Sequence, residues 1–275
     1  MPEVAFQGER GAFSEDAVVK FFGEDIPLLS CARLRDVFQA VLEDRANFGV
    51  VPVENSQAGS INETYDLLLE YPLNIFAEII LRISHCLMVL PGESLSSINT
   101  IYSHPQALAQ CEQFLRKLGL NIIPSYDTAG SAKMIKESAL KGCAAVASER
   151  AADIYGLQIL APGIEDNRDN YTKFFAISKQ EARPGQKNKT SLVFGTKNMP
   201  GALYSVLGIF ATRNINLTKL ESRPSKNKAW EYIFYVDFES RLGSKVYRAA
   251  MGELTREAAF VKILGSYPQW EQQSG

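Results

Sequence analysis

The chain has 275 residues, of which 46% are hydrophobic and 22% charged, enough apolar material for one or two buried cores and too much for extensive disorder. Its net charge of −2 is unevenly shared: residues 1–182 hold 15 Lys and Arg against 24 Asp and Glu, and residues 183–275 hold 14 against 7. The excess cations fall mainly in 183–189 and 226–228, segments explained as solvated loops, so no nucleic-acid partner is expected. Residues 1–8 lack a basic stretch leading into an apolar one, so no secretory signal is read and a cytoplasmic chain is expected.

The first elements alternate. Residues 4–7 read as a strand and 14–22 as a helix, with Ser14 as its expected N-cap. Leu34, Val37, Phe38, Val41 and Leu42 form a helical stripe before an apolar strand at 48–53. The stretch 75–90 is extended and the longest apolar run, but Glu78, Arg82 and His85 interrupt it and it is too short to cross a bilayer. Helices follow at 105–118, 128–140 and 148–155, alternating with strands at 120–124 and 144–147. Another extended stretch, 171–178, closes the set.

Repeated βα units imply mostly parallel, helix-covered sheets. With the two extended stretches between sets, they suggest an α/β domain over 1–182 in two lobes, approximately 1–82 with 166–182, and 83–165, around a cleft. Residues 181–189 read as a linker. Beyond it come a strand at 189–196, a helix faced by Leu203, Val206, Leu207 and Phe210, and a strand at 216–221. Trp230, Tyr232, Phe234, Val236 and Phe238 then alternate along one apolar strand face. A helix bearing Tyr247, Ala250, Met251 and Leu254 and a strand at 260–264 complete a βαββαβ, ferredoxin-like module over 188–275.

Cys31, Cys86, Cys111 and Cys143 contain no CxxC pair, and His85 and His104 are the only histidines. Free thiols and no metal or other cofactor are expected. Polar chemistry gathers instead at strand ends. Gly8-Glu-Arg-Gly-Ala-Phe-Ser14 matches neither a dinucleotide fingerprint nor a P-loop, but its helix start can hold an anion or serve as an ordinary βα turn. Pro52-Val-Glu-Asn-Ser56 places Glu54, Asn55 and Ser56 after a buried strand, for a ligand or for the turn itself. In Ser103-His-Pro-Gln106, Ser103 ends a strand and Pro105 suits a first helical turn, with Gln106 and Gln110 on one side; His104 reads as a structural hydrogen-bonding residue. Asp127, Thr128 and Ser131 open another helix, and Thr172, Lys173 and Phe174 enter the strand at 171–178.

Gly8-x-x-Gly-x-Phe-Ser14, Pro52-Val-Glu-Asn-Ser56, Ser103-His-Pro-Gln106 and Thr172-Lys-Phe174, in this order before a βαββαβ module, resemble the prephenate dehydratase family, and the module resembles an ACT regulatory domain. The resemblance covers essentially the whole chain. It implies a type II periplasmic-binding-protein-like catalytic domain that dehydrates and decarboxylates prephenate to phenylpyruvate; arogenate is the alternative substrate. A cytoplasmic small-molecule sensor is the rival from another class. It further implies Thr172 as proton donor and Asn55, Ser103 and Gln110 as orienting residues. Ser14, Glu54, Ser56, Thr128, Ser131, Lys173 and Phe174 would complete the substrate site. Where the family usually has Arg, this chain has Lys173, which keeps the charge but loses a bidentate grip on carboxylate. Phenylalanine is implied as the effector, bound by Gly201, Ala202, Leu203, Glu221, Ser222 and Arg223 between paired modules of a dimer of dimers. A chain cut after Glu181 is then expected to keep catalysis and lose sensitivity to phenylalanine.

Overall fold

The structure is a computed structural model that describes residues 3–225, 231–240 and 242–270. The elements begin β1 (Val4–Gln7), α1 (Phe13–Phe22), β2 (Leu28–Cys31), α2 (Leu34–Leu42), β3 (Phe48–Asn55), β4 (Gly59–Ser60), α3 (Asn62–Glu70) and β5 (Asn74–Arg82). There follow β6 (Cys86–Val89), β7 (Thr100–Ser103), α4 (Pro105–Gln110), α5 (Glu112–Leu118), β8 (Asn121–Pro124), α6 (Thr128–Glu137), β9 (Cys143–Ala147), α7 (Glu149–Tyr155), β10 (Gln158–Ala161) and β11 (Tyr171–Ser178). The chain continues with β12 (Asn188–Gly195), α8 (Ala202–Ala211), β13 (Leu217–Pro224), β14 (Tyr232–Ser240), α9 (Lys245–Glu257) and β15 (Phe260–Pro268).

These strands make three sheets, ordered β2-β1-β3-β11-β5 with β4 beside β3, then β10-β6-β9-β7-β8, then β13-β14-β12-β15. β1 pairs in parallel with β2 and β3, and β7 with β8 and β9, as crossover helices demand. The extended stretch at 75–90 is two strands in different sheets, and 105–118 is two helices broken at Cys111, whose backbone leaves the helical region. The final sheet is antiparallel throughout, with α8 and α9 packed on one face around Leu192, Phe194, Val206, Phe210, Val236 and Leu254.

By packing, the chain divides into two compact units, Met1–Thr64 with Ile79–Phe174, and Tyr65–Glu78 with Phe175–Gly275. The second unit explains why the alternation in β14 was only half the story. Its helix-facing residues join the apolar core, but Ile233, Tyr235 and Asp237 on the other face are buried as well. Segment Tyr65–Glu78 lies within this unit: the Tyr235 hydroxyl donates to the Tyr65 carbonyl at 3.0 Å, and the two rings meet at 5.0 Å. Lys262 Nζ donates to the carbonyls of Leu68, Leu69 and Tyr71, satisfying the C-terminus of α3. Lys189 Nζ pairs with Glu78 at 2.8 Å in a buried ion pair. Trp230 and the basic turn 226–228 lie outside the described residues.

Candidate active site

Between the first two sheets, wholly inside the first unit, lies a cleft of about 220 Å³. Its walls are the strand ends and helix starts that α/β architecture leaves open to ligands. The N-termini of α1, α4 and α6 reach it through Phe13 and Ser14, His104 and Gln106, and Asp127 and Thr128. Unpaired N–H groups and the helix dipole at such ends favour anions.

The Gly8–Ser14 turn is held by its backbone. Gly11 has φ +86°, and a Cβ there would stand 2.7 Å from Ala151 Cα, so only glycine fits. Gly11 N donates to Glu15 at 2.7 Å, and the Ser148 hydroxyl donates to the Gly11 carbonyl at 2.6 Å. The expected capping role of Ser14 is corrected here: Ala12 occupies the N-cap without a side-chain bond. Ser14 falls inside the helix and lines the cleft, while Glu15 takes the orphan N–H. Asp127 does cap α6, accepting from Gly130 N at 2.7 Å. His104 caps α4, its Nδ1 accepting from Gln106 N at 3.2 Å, so its structural hydrogen bond is present although the residue also lines the cleft.

At the cleft floor Thr172, Asn55 and Gln110 come together in one network. Asn55 Oδ1 accepts from the backbone N–H groups of Gln57 and Ala58, each at 3.0 Å. That fixes its amide, whose Nδ2 donates to Thr172 Oγ1 at 3.0 Å and to Asn170 Oδ1 at 2.8 Å. Asn170 Nδ2 donates to Gln110 Oε1 at 2.9 Å, and the same oxygen takes a hydrogen bond from His85 Nε2 at 3.0 Å. Burial pulls the His85 pKa down. The neutral ring therefore carries its proton on Nε2, leaving Nδ1 buried without a partner among the described residues.

Other expected site residues are placed differently. Ser103 is fully buried and its hydroxyl donates to the Val146 carbonyl; Ser131 is fully buried and donates to the Asp127 carbonyl. Ser56 Oγ accepts from Tyr171 N, fastening β11. None of these three lines the cleft. Thr172 and Phe174 both line it, so strand alternation sends Lys173 to the opposite face, where Nζ meets Glu54 at 3.4 Å. Among the described residues, no Lys or Arg lines the cleft. His85 and Asn170 carried no expected role, although a histidine inside the apolar run 75–90 was a signal.

In the C-terminal module, Gly201, Ala202 and Leu203 line a second cavity of about 350 Å³ with Met199, Tyr204 and Tyr232. Glu221, Ser222 and Arg223 sit on edge strand β13, outside that lining. There Lys219 Nζ contacts Glu221 at 3.0 Å, and Arg223 reaches Asp66 at 3.4 Å.

Thr172 is thus presented beside neutral amides in a cleft walled by three helix N-termini. A family model for prephenate dehydratase matches residues 4–182, and one for the ACT domain matches residues 190–246. The chain belongs to the prephenate dehydratase family, whose activity is that of a hydro-lyase. It is 44% identical to arogenate dehydratase/prephenate dehydratase 2 of Arabidopsis thaliana, over 96% of this chain and 72% of that protein. A prephenate dehydratase from Arthrobacter aurescens, solved in complex with L-Phe, superposes with a TM-score of 0.88 at 30% identity, covering 97% of this chain and 89% of that one. A protein described as a novel type of quorum-quenching acylase, GqqA, superposes with a TM-score of 0.89 at 36% identity, covering 97% and 98%.

Proposed function

We propose that Thr172 supplies the proton in the dehydration and decarboxylation of prephenate to phenylpyruvate. The ring C–carboxylate bond breaks to release carbon dioxide, and its electron pair enters the ring. The ring C–O bond breaks as the departing oxygen takes the Thr172 proton and leaves as water; Thr172 recovers a proton from solvent. A threonine hydroxyl is a weak acid, so the steps must be concerted, with aromatisation driving expulsion. General-acid assistance of this kind contributes on the order of 10²–10⁴ in rate.

The observation that carries this reading is the direction of one hydrogen bond. Thr172 Oγ1 accepts from Asn55, which polarises the hydroxyl, and no described residue takes its own proton, leaving the O–H for a ligand in the cleft it lines. Gln110, its oxygen occupied by Asn170 and His85, offers its NH₂ group to the substrate. With Lys173 held on the far face by Glu54, we assign the substrate carboxylates to the helix N-termini at Ser14 and Thr128. Glu54, Ser56, Ser103 and Ser131 act by fixing strands and turns.

Phenylalanine is the proposed effector, supported by the ACT match and by the L-Phe-bound relative. Since Gly201–Leu203 and Glu221–Arg223 do not share one cavity within a chain, we propose that β13 of a second copy completes the site, in a dimer of dimers. The test supplies prephenate to the purified chain and follows phenylpyruvate. Thr172→Ala should lower kcat by about 10²-fold or more with little change in KM; near-normal turnover removes Thr172 from the acid role.

A further inference from the structure

The chain passes twice between the first two sheets, over residues 83–85 from β5 to β6 and over residues 162–170 from β10 to β11. The two passages are bonded to each other: Ile83 N donates to the Asn170 carbonyl at 2.8 Å, and Ile164 N to the His85 carbonyl at 2.9 Å. The carboxylate of Glu165, a side chain only 1% exposed, joins them again. Its Oε2 accepts from His85 N at 2.9 Å and its Oε1 from Arg82 Nη2 at 3.0 Å. Arg82 Nε in turn donates to the Arg168 carbonyl at 3.1 Å, close in sequence to Asn170. The following residue, Asp166, gives its N–H to the Gln110 carbonyl at 2.8 Å, and its carboxylate accepts from Gln113 N at 3.1 Å.

Residues 164–166 therefore hold the backbone of His85 on one side and that of Gln110 on the other, and across this frame His85 Nε2 meets Gln110 Oε1 at 3.0 Å. The Arg82 side chain is 46% exposed, so water screens its ion pair with Glu165 and the pair contributes little stability. What the carboxylate supplies is position, a buried acceptor of fixed geometry for the His85 N–H. We infer that Glu165 is a positioning residue of the proposed active site, an inference that stands on that reading. By fixing the His85 backbone it sets the ring whose bond to Gln110 Oε1, together with that of Asn170, leaves the Gln110 NH₂ group facing the substrate. Glu165 does not line the cleft and acts only through the residues it holds. A displacement of about 1 Å in an orienting group can cost on the order of 10² in rate.

The experiment measures prephenate turnover by the full-length chain carrying Glu165→Gln, Glu165→Met or Glu165→Asp, each with and without Gln110→Ala. Glutamine keeps a side-chain oxygen for His85 N and should retain most activity. Methionine has nearly the same length but no comparable acceptor, and should lower kcat/KM about tenfold, the scale of one misplaced hydrogen bond at the substrate. Glu165→Asp keeps the charge beside Arg82 but draws the carboxylate back by a methylene. It should shift kcat/KM in the same direction, and it carries the test should the Met variant fail to fold. In the Gln110→Ala background neither change should add to the loss, because the group being positioned is gone. Additive losses overturn the assignment, as does a Gln variant as impaired as the Met one. Unaltered turnover in folded Met and Asp variants overturns it too. A wild-type chain that leaves prephenate unconsumed overturns instead the active-site reading beneath it.

Discussion

Hydrogen-bond direction in the cleft is dictated from the backbone outward. The N–H groups of Gln57 and Ala58 fix the Asn55 amide, Asn55 fixes Asn170, and Asn170 fixes Gln110. His85 is the last member, donating from Nε2 while its ring packs edge-on to Phe13 at 5.2 Å. A glutamine side chain can place an amide nitrogen near the position of imidazole Nε2, whereas asparagine reaches only as far as Nδ1. His85→Gln should therefore retain most activity, and His85→Asn should lose about tenfold in kcat/KM, the scale of one neutral hydrogen bond. In a Gln110→Ala background the His85→Asn change should add nothing, because the group it orients is gone. A double-mutant cycle measures this; additive losses would detach His85 from Gln110.

At the level of elements, α1 and α7 are tied by Arg150, whose Nε meets Asp16 at 2.6 Å and whose other nitrogens reach Glu24. Burial nevertheless outweighs that ion pair and raises the Asp16 pKa from 3.8 to about 6. The folded state thus binds the Asp16 proton more tightly than the unfolded chain, so Asp16 contributes stability at low pH that is lost as pH rises from about 4 to about 6. The stability difference between wild type and Asp16→Asn should decline over that window and flatten above it, as read from denaturant midpoints in a pH series. A difference constant with pH would show that Asp16 titrates alike in both states. Elements with a strong period were legible in the sequence, as the stripe of α2 and the run of β11 show. Strand alternation alone would have put Lys173 opposite Thr172, a legible feature that the motif reading passed over. The break at Cys111 was not legible, since 105–118 keeps a helical composition across it. Nor were the partners of Gln110, which lie 25 and 60 residues away in sequence and meet only once the sheets form.

For the molecule as a whole, the packing argues against a clean separation of catalysis from regulation at the linker. The family boundary falls at residue 182, yet Tyr65–Glu78 and the end of β11 pack with the C-terminal module. Phe175 meets Tyr267 at 5.7 Å, and Tyr65 meets Tyr235. A Cβ on Gly265 would fall 2.4 Å from the Ile75 carbonyl, so the final strand passes directly against β5. Cutting the chain after Glu181 would bare Tyr65, Ile75 and Phe175 and leave Glu78 without Lys189. Exposing a large apolar side chain costs roughly 1.5–3 kcal/mol, and stranding a buried charge costs about 3–5 kcal/mol more. Together these rival the roughly 5–15 kcal/mol by which a whole domain is stable. We therefore expect the truncated chain to aggregate or melt well below the full-length protein, with activity lost through unfolding. Sedimentation and thermal melts of both forms provide the check. A truncated chain that stays monodisperse, melts with the full-length protein and turns over prephenate without response to phenylalanine would establish the module as a detachable regulator.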